Sequence, residues 1–300
     1  MNEESKLIVG DVLETLRDFP DGLVDLGITS PPYNKMEKQK GWLVKNVLYE
    51  NSRDALPEAE YQQQQVEVLD EIFRITRPGG SFFYNHKCRW VRGNLLHPMD
   101  WLRKTRWVVK QEIIWDRVIA ANIRGWRFWQ VEERIYWLYK PIADNKIGAE
   151  LASRDAKLTS IWRGVPEGKN SHPAPFPLWL PARVIISLLG VANADLVNGD
   201  NQRTGLVLDP YMGSGTTAIA AELLGHRYIG IDISPEYTAQ ARERIQAAKT
   251  ELPKLLEELA LHEVKDTFTH RKTSGKNVGK FRGRPVPHQK EQAEQLMMDT

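Results

Sequence analysis

"LVLDPYMGSGTT", residues 206–217, has the order of residue types expected where a strand runs into a helix through a glycine turn. Three aliphatic residues end at Asp209 and Pro210, Gly213 and Gly215 follow, and Thr216 and Thr217 open an apolar, helix-like run. Glycines let the backbone approach a ligand closely, and a helix N-terminus favours an anion. The spacing Gly213-x-Gly215-x-x-Ala218 satisfies the loose dinucleotide fingerprint, which on its own also fits a turn that packs helix on strand. The next apolar run, "RYIGIDIS" at 227–234, carries Asp232, 23 residues beyond Asp209. That is where a carboxylate accepts hydrogen bonds from ribose hydroxyls. Together the two runs point to a nucleoside-bearing cofactor and leave its identity open.

Outward from this unit, short apolar runs alternate with helical patterns, the signature of a parallel sheet with helices on its faces. The patterning predicts strands at 6–9, 23–29, 81–84, 112–115, 134–138, 206–209 and 228–232. It predicts helices at 61–77, stopped by Pro78-Gly79-Gly80, and at 98–104, 178–189, 216–224 and 235–260. Residues 34–60, 141–177 and everything after about 262 read as irregular. The 300 residues are 41% hydrophobic and 27% charged, an ordinary globular balance with room for one large domain. No run is long enough to span a membrane, and the N-terminus lacks the pattern of a signal peptide. A single cysteine, Cys88, excludes an internal disulfide framework, and the scattered histidines give no zinc spacing, so the expected setting is cytoplasmic and metal-free. Residues 265–300 carry eight Lys/Arg against four Asp/Glu, and the rest of the chain 33 against 35. A polyanion would therefore meet a local patch or the tail rather than the field of the whole chain.

A second stretch, "ITSPPYN" at 28–34, closes an apolar run bounded by Pro20-Asp21-Gly22. Each proline fixes its own backbone angle and biases the residue before it towards extended geometry, so Pro31 and Pro32 make a stiff strand exit. Alone, the motif also fits a rigid turn carrying a packed tyrosine.

"TSPPYN" and "DPYMGSGTT" together resemble the exocyclic-amino DNA methyltransferases, whose catalytic motif is Asp/Asn/Ser-Pro-Pro-Tyr/Phe and whose cofactor turn is Asp-Pro-Phe/Tyr-x-Gly-x-Gly. The order, catalytic motif first, is similar to the permuted beta group of that family. "GDVLETL" at 10–16, "RPGGSFF" at 77–83 and "HPAPFPLWLPARVI" at 172–185 are similar to further motifs, so the resemblance runs from about residue 9 to about residue 234. It implies a Rossmann-like, α/β S-adenosylmethionine-dependent methyltransferase fold with a seven-stranded, mostly parallel sheet, an antiparallel hairpin strand and circularly permuted motifs. It further implies S-adenosylmethionine as cofactor, held by Asp11, Pro175, Phe176, Asp209, Tyr211, Gly213, Gly215, Thr216 and Asp232. The implied catalytic set is Ser30, Pro31, Pro32 and Tyr33. In that family Ser at the first position goes more often with N4 of cytosine and Asp with N6 of adenine. Ser30 thus favours cytosine N4, with adenine N6 as the alternative.

The residues suit that chemistry. An exocyclic amino nitrogen is a poor nucleophile because its lone pair is delocalised into the ring. Acceptors at Ser30 Oγ and the Pro31 carbonyl would draw it towards tetrahedral geometry, and alignment would supply much of the remaining acceleration. A duplex base must be flipped out to be reached, and Tyr33 offers it a face. Methylation at cytosine C5 needs an activated thiolate, and Cys88 in "NHKCRW" lacks the Pro-Cys context for it.

The partner implied is double-stranded DNA. Lys35, Lys38, Lys40 and Lys45 with Trp42 follow the catalytic tyrosine directly, a mixture suited to phosphate contact and gap-filling, and equally to a solvated loop. In "NIRGWRFWQVEERIYWLYK" at 122–140, Ile135 and Trp137 read as sheet core, while Trp126 and Trp129 divide between core and DNA contact. Arg282-Gly283-Arg284-Pro285 resembles the core of an AT-hook, which places arginines in a narrow minor groove. The expected organisation is a catalytic domain over 1–262 with a DNA-contacting loop at 34–60, a short recognition insert at 141–171 and a basic tail at 263–300. A cognate restriction endonuclease and a homodimer are partners that the resemblance suggests. Three other readings remain open: the same chemistry on RNA or a protein glutamine, a DNA-binding module on a degenerate enzyme fold, and a nicotinamide dehydrogenase.

Overall fold

The computed structural model describes residues 5–34, 56–120, 125–143, 158–166, 176–196 and 204–262. Pro175, Lys35, Lys38, Trp42, Arg282 and Arg284 lie outside the described residues, as do most of 34–60 and 141–171 and all of the tail.

The chain runs β1 (Lys6–Val9), α1 (Val12–Arg17), β2 (Val24–Thr29), α2 (Glu58–Ile75), β3 (Thr76–His86), β4 (Arg89–Val91), β5 (Asn94–Leu96), α3 (Met99–Leu102), β6 (Val108–Asp116) and β7 (Glu132–Tyr139). It continues through β8 (Ile161–Arg163), α4 (Trp179–Leu188), β9 (Leu206–Asp209), α5 (Thr216–Leu224), β10 (Arg227–Asp232), α6 (Pro235–Gln246), a 3-10 turn (Ala248–Glu251) and α7 (Leu252–His262). Among the described residues eight strands form one sheet in the order β1-β10-β9-β2-β3-β7-β6-β8. Only β7 runs antiparallel to its neighbours, β3 and β6. Every residue of β2 and β9 is buried. That is what a parallel strand covered on both faces requires, and it explains why aliphatic side chains of these strands point to both faces. One face is packed by residues of α4, α5 and α7, the other by residues of α1, α2 and α3.

The structure departs from the sequence reading in four places. The sheet has eight strands rather than seven, because Ile161–Arg163 adds a parallel edge strand beside β6. The helix expected to stop at Pro78-Gly79-Gly80 ends at Ile75, and those three residues belong to β3. The Lys140 ammonium donates to the carbonyls of Phe73, Arg74 and Thr76 at 2.8, 3.3 and 2.6 Å. It caps the helix from just beyond β7, the strand paired with β3. Gly79, at φ +81°, then absorbs the bulge where the β2–β3 register shifts. The helix expected over 235–260 breaks after Gln246, and α7 restarts with Pro253 in its first turn, where a missing N–H costs nothing. Finally, α1 and the β4–β5 hairpin escaped the reading. The hairpin turns through Arg92 and Gly93, both at positive φ as a tight two-residue turn demands.

Candidate active site at the carboxyl ends of neighbouring strands

The adjacent strands β1, β10, β9, β2 and β3 are all parallel. Their carboxyl ends therefore share one edge of the sheet. The helix after β9 packs on one face and the helix after β2 on the other. A crevice must open between β9 and β2, where such sheets bind ligands. The glycine turn follows β9 and the Ser-Pro-Pro corner follows β2, so both motifs flank that crevice.

A buried carboxylate ties the two together. Asp209 is 2% exposed. Its Oδ1 accepts from the Thr29 hydroxyl at 2.7 Å and from the Tyr211 N–H at 3.2 Å, and its Oδ2 from the Thr217 hydroxyl at 2.6 Å. Burial pushes its carboxyl up to about 6 despite these three donors. With both oxygens committed inside the protein, Asp209 holds the motifs in register.

Asp232 braces the glycine turn. Its Oδ2 accepts from the Gly213 N–H and its Oδ1 from the Ser234 N–H, both at 2.8 Å. Burial raises its carboxyl as well. An ionised carboxylate offers about four lone-pair sites, so this one retains capacity for ribose hydroxyls. Asp11 caps α1 through Oδ1, accepting from Leu13 N–H at 2.9 Å and Glu14 N–H at 3.2 Å. It follows Val9, which pairs with Asp232, so the two acids sit at neighbouring strand ends.

The remaining cofactor-turn residues divide by environment. Gly213 and Gly215 have φ of +52° and +80°. A Cβ on Gly215 would lie 2.8 Å from the Ala241 Cβ, so this glycine is required for packing against α6. The Thr216 hydroxyl accepts from Arg244 at 3.3 Å, and the same nitrogen holds the Ser214 carbonyl at 2.8 Å. Tyr211 packs on the face built by α1 and α2, where burial raises its phenol. Phe176 packs on the opposite face, beside α4.

At the end of β2, the Ser30 hydroxyl lies 2.6 Å from the Tyr33 hydroxyl, which donates to Glu133 Oε2 at 3.0 Å. Asn85 Nδ2 reaches Ser30 Oγ, Tyr33 Oη and Glu133 Oε2 at 3.3, 3.0 and 2.9 Å. Arg117 closes the group with an ion pair to Glu133 Oε1 at 2.8 Å. Tyr33 is buried, its ring centroid 4.5 Å from that of His86. The Pro32 carbonyl accepts from the Tyr61 hydroxyl at 2.8 Å, whereas no described group donates to the Pro31 carbonyl. Tyr61 also meets His86 Nε2 at 2.8 Å, and burial holds His86 well below the usual imidazole range. The sequence reading missed Asn85, Glu133, Arg117, Tyr61 and His86. The available signal was polar residues at strand ends, "NH" closing β3 and "EE" opening β7. Among the described residues no group of acids, histidines and cysteine could hold a metal ion.

A family model described as DNA methylase, of the N6/N4 type, matches residues 24–243. The type II methyltransferase M.BglII of Bacillus subtilis is 26% identical over 266 residues, which cover 78% of this chain and 66% of that protein. The type II methyltransferase M.ScaI of Streptomyces caespitosus is 26% identical over 269 residues, covering 79% of this chain and 80% of that one. Among solved structures, TTHA0409 of Thermus thermophilus, a candidate DNA modification methylase complexed with S-adenosyl-L-methionine, is 26% identical. It superposes with a TM-score of 0.57 over 81% of this chain and 94% of its own. With its strand order, its paired motifs and a family match across most of its length, the chain belongs to the N6/N4 DNA methylase family.

Proposed function

We propose that the chain transfers the methyl group of S-adenosylmethionine to an exocyclic amino nitrogen of a flipped base in double-stranded DNA, N4 of cytosine, with the permuted motif order of the beta group. The observation that carries this is the Asp209 bridge, which locks Thr29, next to Ser30, to Thr217 in the helix after the glycine turn. Two functional segments 180 residues apart are thereby held at one crevice.

The cofactor supplies an electrophilic methyl on a sulfonium sulfur. Asp232 would accept its ribose hydroxyls, Asp11 its adenine amino group, and Tyr211, Phe176 and Pro175 would pack on its apolar parts. Gly213 would supply close backbone approach, with Asp209, Gly215 and Thr216 shaping the turn. On the other side, Ser30 Oγ and the Pro31 carbonyl would accept the two amino hydrogens. Pro32 is the stiffener, its carbonyl anchored by Tyr61. Tyr33 meets Ser30 through its hydroxyl and would offer the flipped base a ring face.

The connection between β6 and β7 supports a DNA-facing role beside this site. Val118, Ile119, Trp126, Phe128 and Trp129 are all exposed there, Phe128 at 98%. The Arg127 guanidinium lies 4.1 Å from the Trp90 ring centroid. Arg117, at the foot of the same connection, pairs with Glu133 of the site. Base–aromatic stacking contributes about 1–3 kcal/mol. Phe128→Ser and Trp129→Ser are each expected to raise the KM for DNA about tenfold while leaving S-adenosylmethionine affinity unchanged; an unchanged KM for DNA removes this role. The type II names of the relatives support work beside a cognate restriction endonuclease, and the family resemblance supports a cytoplasmic homodimer. Among the described residues no helix is long and apolar enough to cross a membrane.

Transfer of label from methyl-tritiated S-adenosylmethionine to DNA, RNA and total protein tests the reading. Label in DNA is expected, and label confined to RNA or protein overturns it.

A further inference from the structure

Hydrogen counting assigns a direction to every link between Ser30 and Glu133. An ionised carboxylate only accepts, and a phenol has one proton. Glu133 Oε1 is paired with Arg117, and Glu133 Oε2 faces both Tyr33 Oη and Asn85 Nδ2. Tyr33 Oη donates its one proton to Glu133 Oε2, and Asn85 Nδ2 is itself a donor, so at 2.6 Å the Ser30 hydroxyl donates to Tyr33. Ser30 Oγ, which Asn85 Nδ2 approaches at 3.3 Å, keeps one lone pair for the crevice. Glu133 is 6% exposed, so the carboxylate meets solvent poorly and is reached mainly through this chain. Asn85 Oδ1 is buried with no hydrogen-bond partner among the described residues, as expected of a group whose partner arrives with the substrate.

Building on the proposed amino-methylation, we propose that Ser30, Tyr33 and Glu133 form a proton relay that ends on the Glu133 carboxylate. In the transfer the amino nitrogen forms a bond to the methyl carbon, the carbon–sulfur bond breaks, and its electron pair stays on sulfur as a neutral thioether. The nitrogen acquires the positive charge and must lose a proton. That proton passes to Ser30 Oγ, the Ser30 proton to Tyr33 Oη, and the Tyr33 proton to Glu133 Oε2. Three protons move one step each, and the net charge migrates from the nitrogen to the Glu133–Arg117 pair, which is left positive by one until the proton reaches solvent on product release. Glu133 acts through Tyr33 and Ser30, so it is a positioning residue in contact terms and the proton terminus in chemical terms.

Glu133→Gln keeps the shape and removes the basic oxygen, while Tyr33→Phe keeps the ring and removes the middle link. Each is expected to lower kcat about 100-fold, within the range for lost general-base assistance. The KM for DNA and the S-adenosylmethionine affinity should stay within about threefold. Wild-type transfer measured in H2O/D2O mixtures should show a solvent isotope effect with the bowed dependence of several protons in flight, and both variants should lose the bow. Either variant turning over at the wild-type rate with the wild-type isotope dependence overturns the relay. A wild-type chain that methylates no DNA overturns instead the reading on which the relay rests.

Discussion

Ser30→Ala is expected to slow methyl transfer by about 10²–10³-fold, the range seen when one preorganised polar group aimed at developing charge is removed. Affinity for S-adenosylmethionine should stay within about threefold. The separation follows from the architecture. Ser30 directly follows β2, whereas the acids that would meet the nucleoside lie just after β1 and at the end of β10. The Asp209 bridge leaves Ser30 itself untouched, since it runs through Thr29. Removing the hydroxyl also frees the Tyr33 oxygen of its donor, so the loss should exceed that of a single hydrogen bond. Single-turnover transfer and calorimetric binding, run on the same preparation, check both halves. Equal losses in the two would mean that the corner is scaffolding for the cofactor.

Asp209 offers the second large effect, on stability. Asp209→Ala leaves two hydroxyls and one amide without acceptors in the middle of the sheet, whereas Asp209→Asn keeps the shape and most of the hydrogen bonds. Each buried group left unsatisfied costs about 1–3 kcal/mol. Allowing for relaxation, the alanine variant should unfold about 2–4 kcal/mol more easily than the asparagine variant in urea. The pH dependence has a definite sign. The carboxyl is raised to about 6 in the folded chain, from the ordinary aspartate value of 3.8. Between those values the folded chain holds a proton that the unfolded chain has lost, so this group makes the protein less stable as pH rises from about 4 to about 6. Asp209→Asn cannot ionise. It should match or exceed the wild type at neutral pH, and its advantage should shrink as pH falls towards 4. If the alanine and asparagine variants unfold alike, Asp209 does not bridge the motifs.

What could be read in the sequence was what is local along the chain. The Ser-Pro-Pro-Tyr corner and the glycine turn each follow an apolar run, and a parallel sheet must put both at one edge; only the adjacency of β2 and β9 needed the structure. The partners of Ser30 were illegible for the complementary reason. Asn85 and Glu133 meet because β3 and β7 pair antiparallel, with His86 opposite Arg134, and nothing local announces that register. Likewise Pro78-Gly79-Gly80 has the composition of a helix stop, yet the helix ends earlier because Lys140, just beyond the strand paired with β3, caps it. Glycine required for close approach was foreseen at 215, but the neighbour it makes room for is Ala241 of α6.

The most direct trial is to incubate the full chain with S-adenosylmethionine and unmodified duplex DNA, digest the product and identify the methylated nucleoside by mass spectrometry. N4-methyldeoxycytidine, formed about 10²–10³-fold more slowly when Ser30→Ala replaces the wild type, is the predicted product. 5-Methyldeoxycytidine, or DNA with no methylated nucleoside at all, would contradict the account.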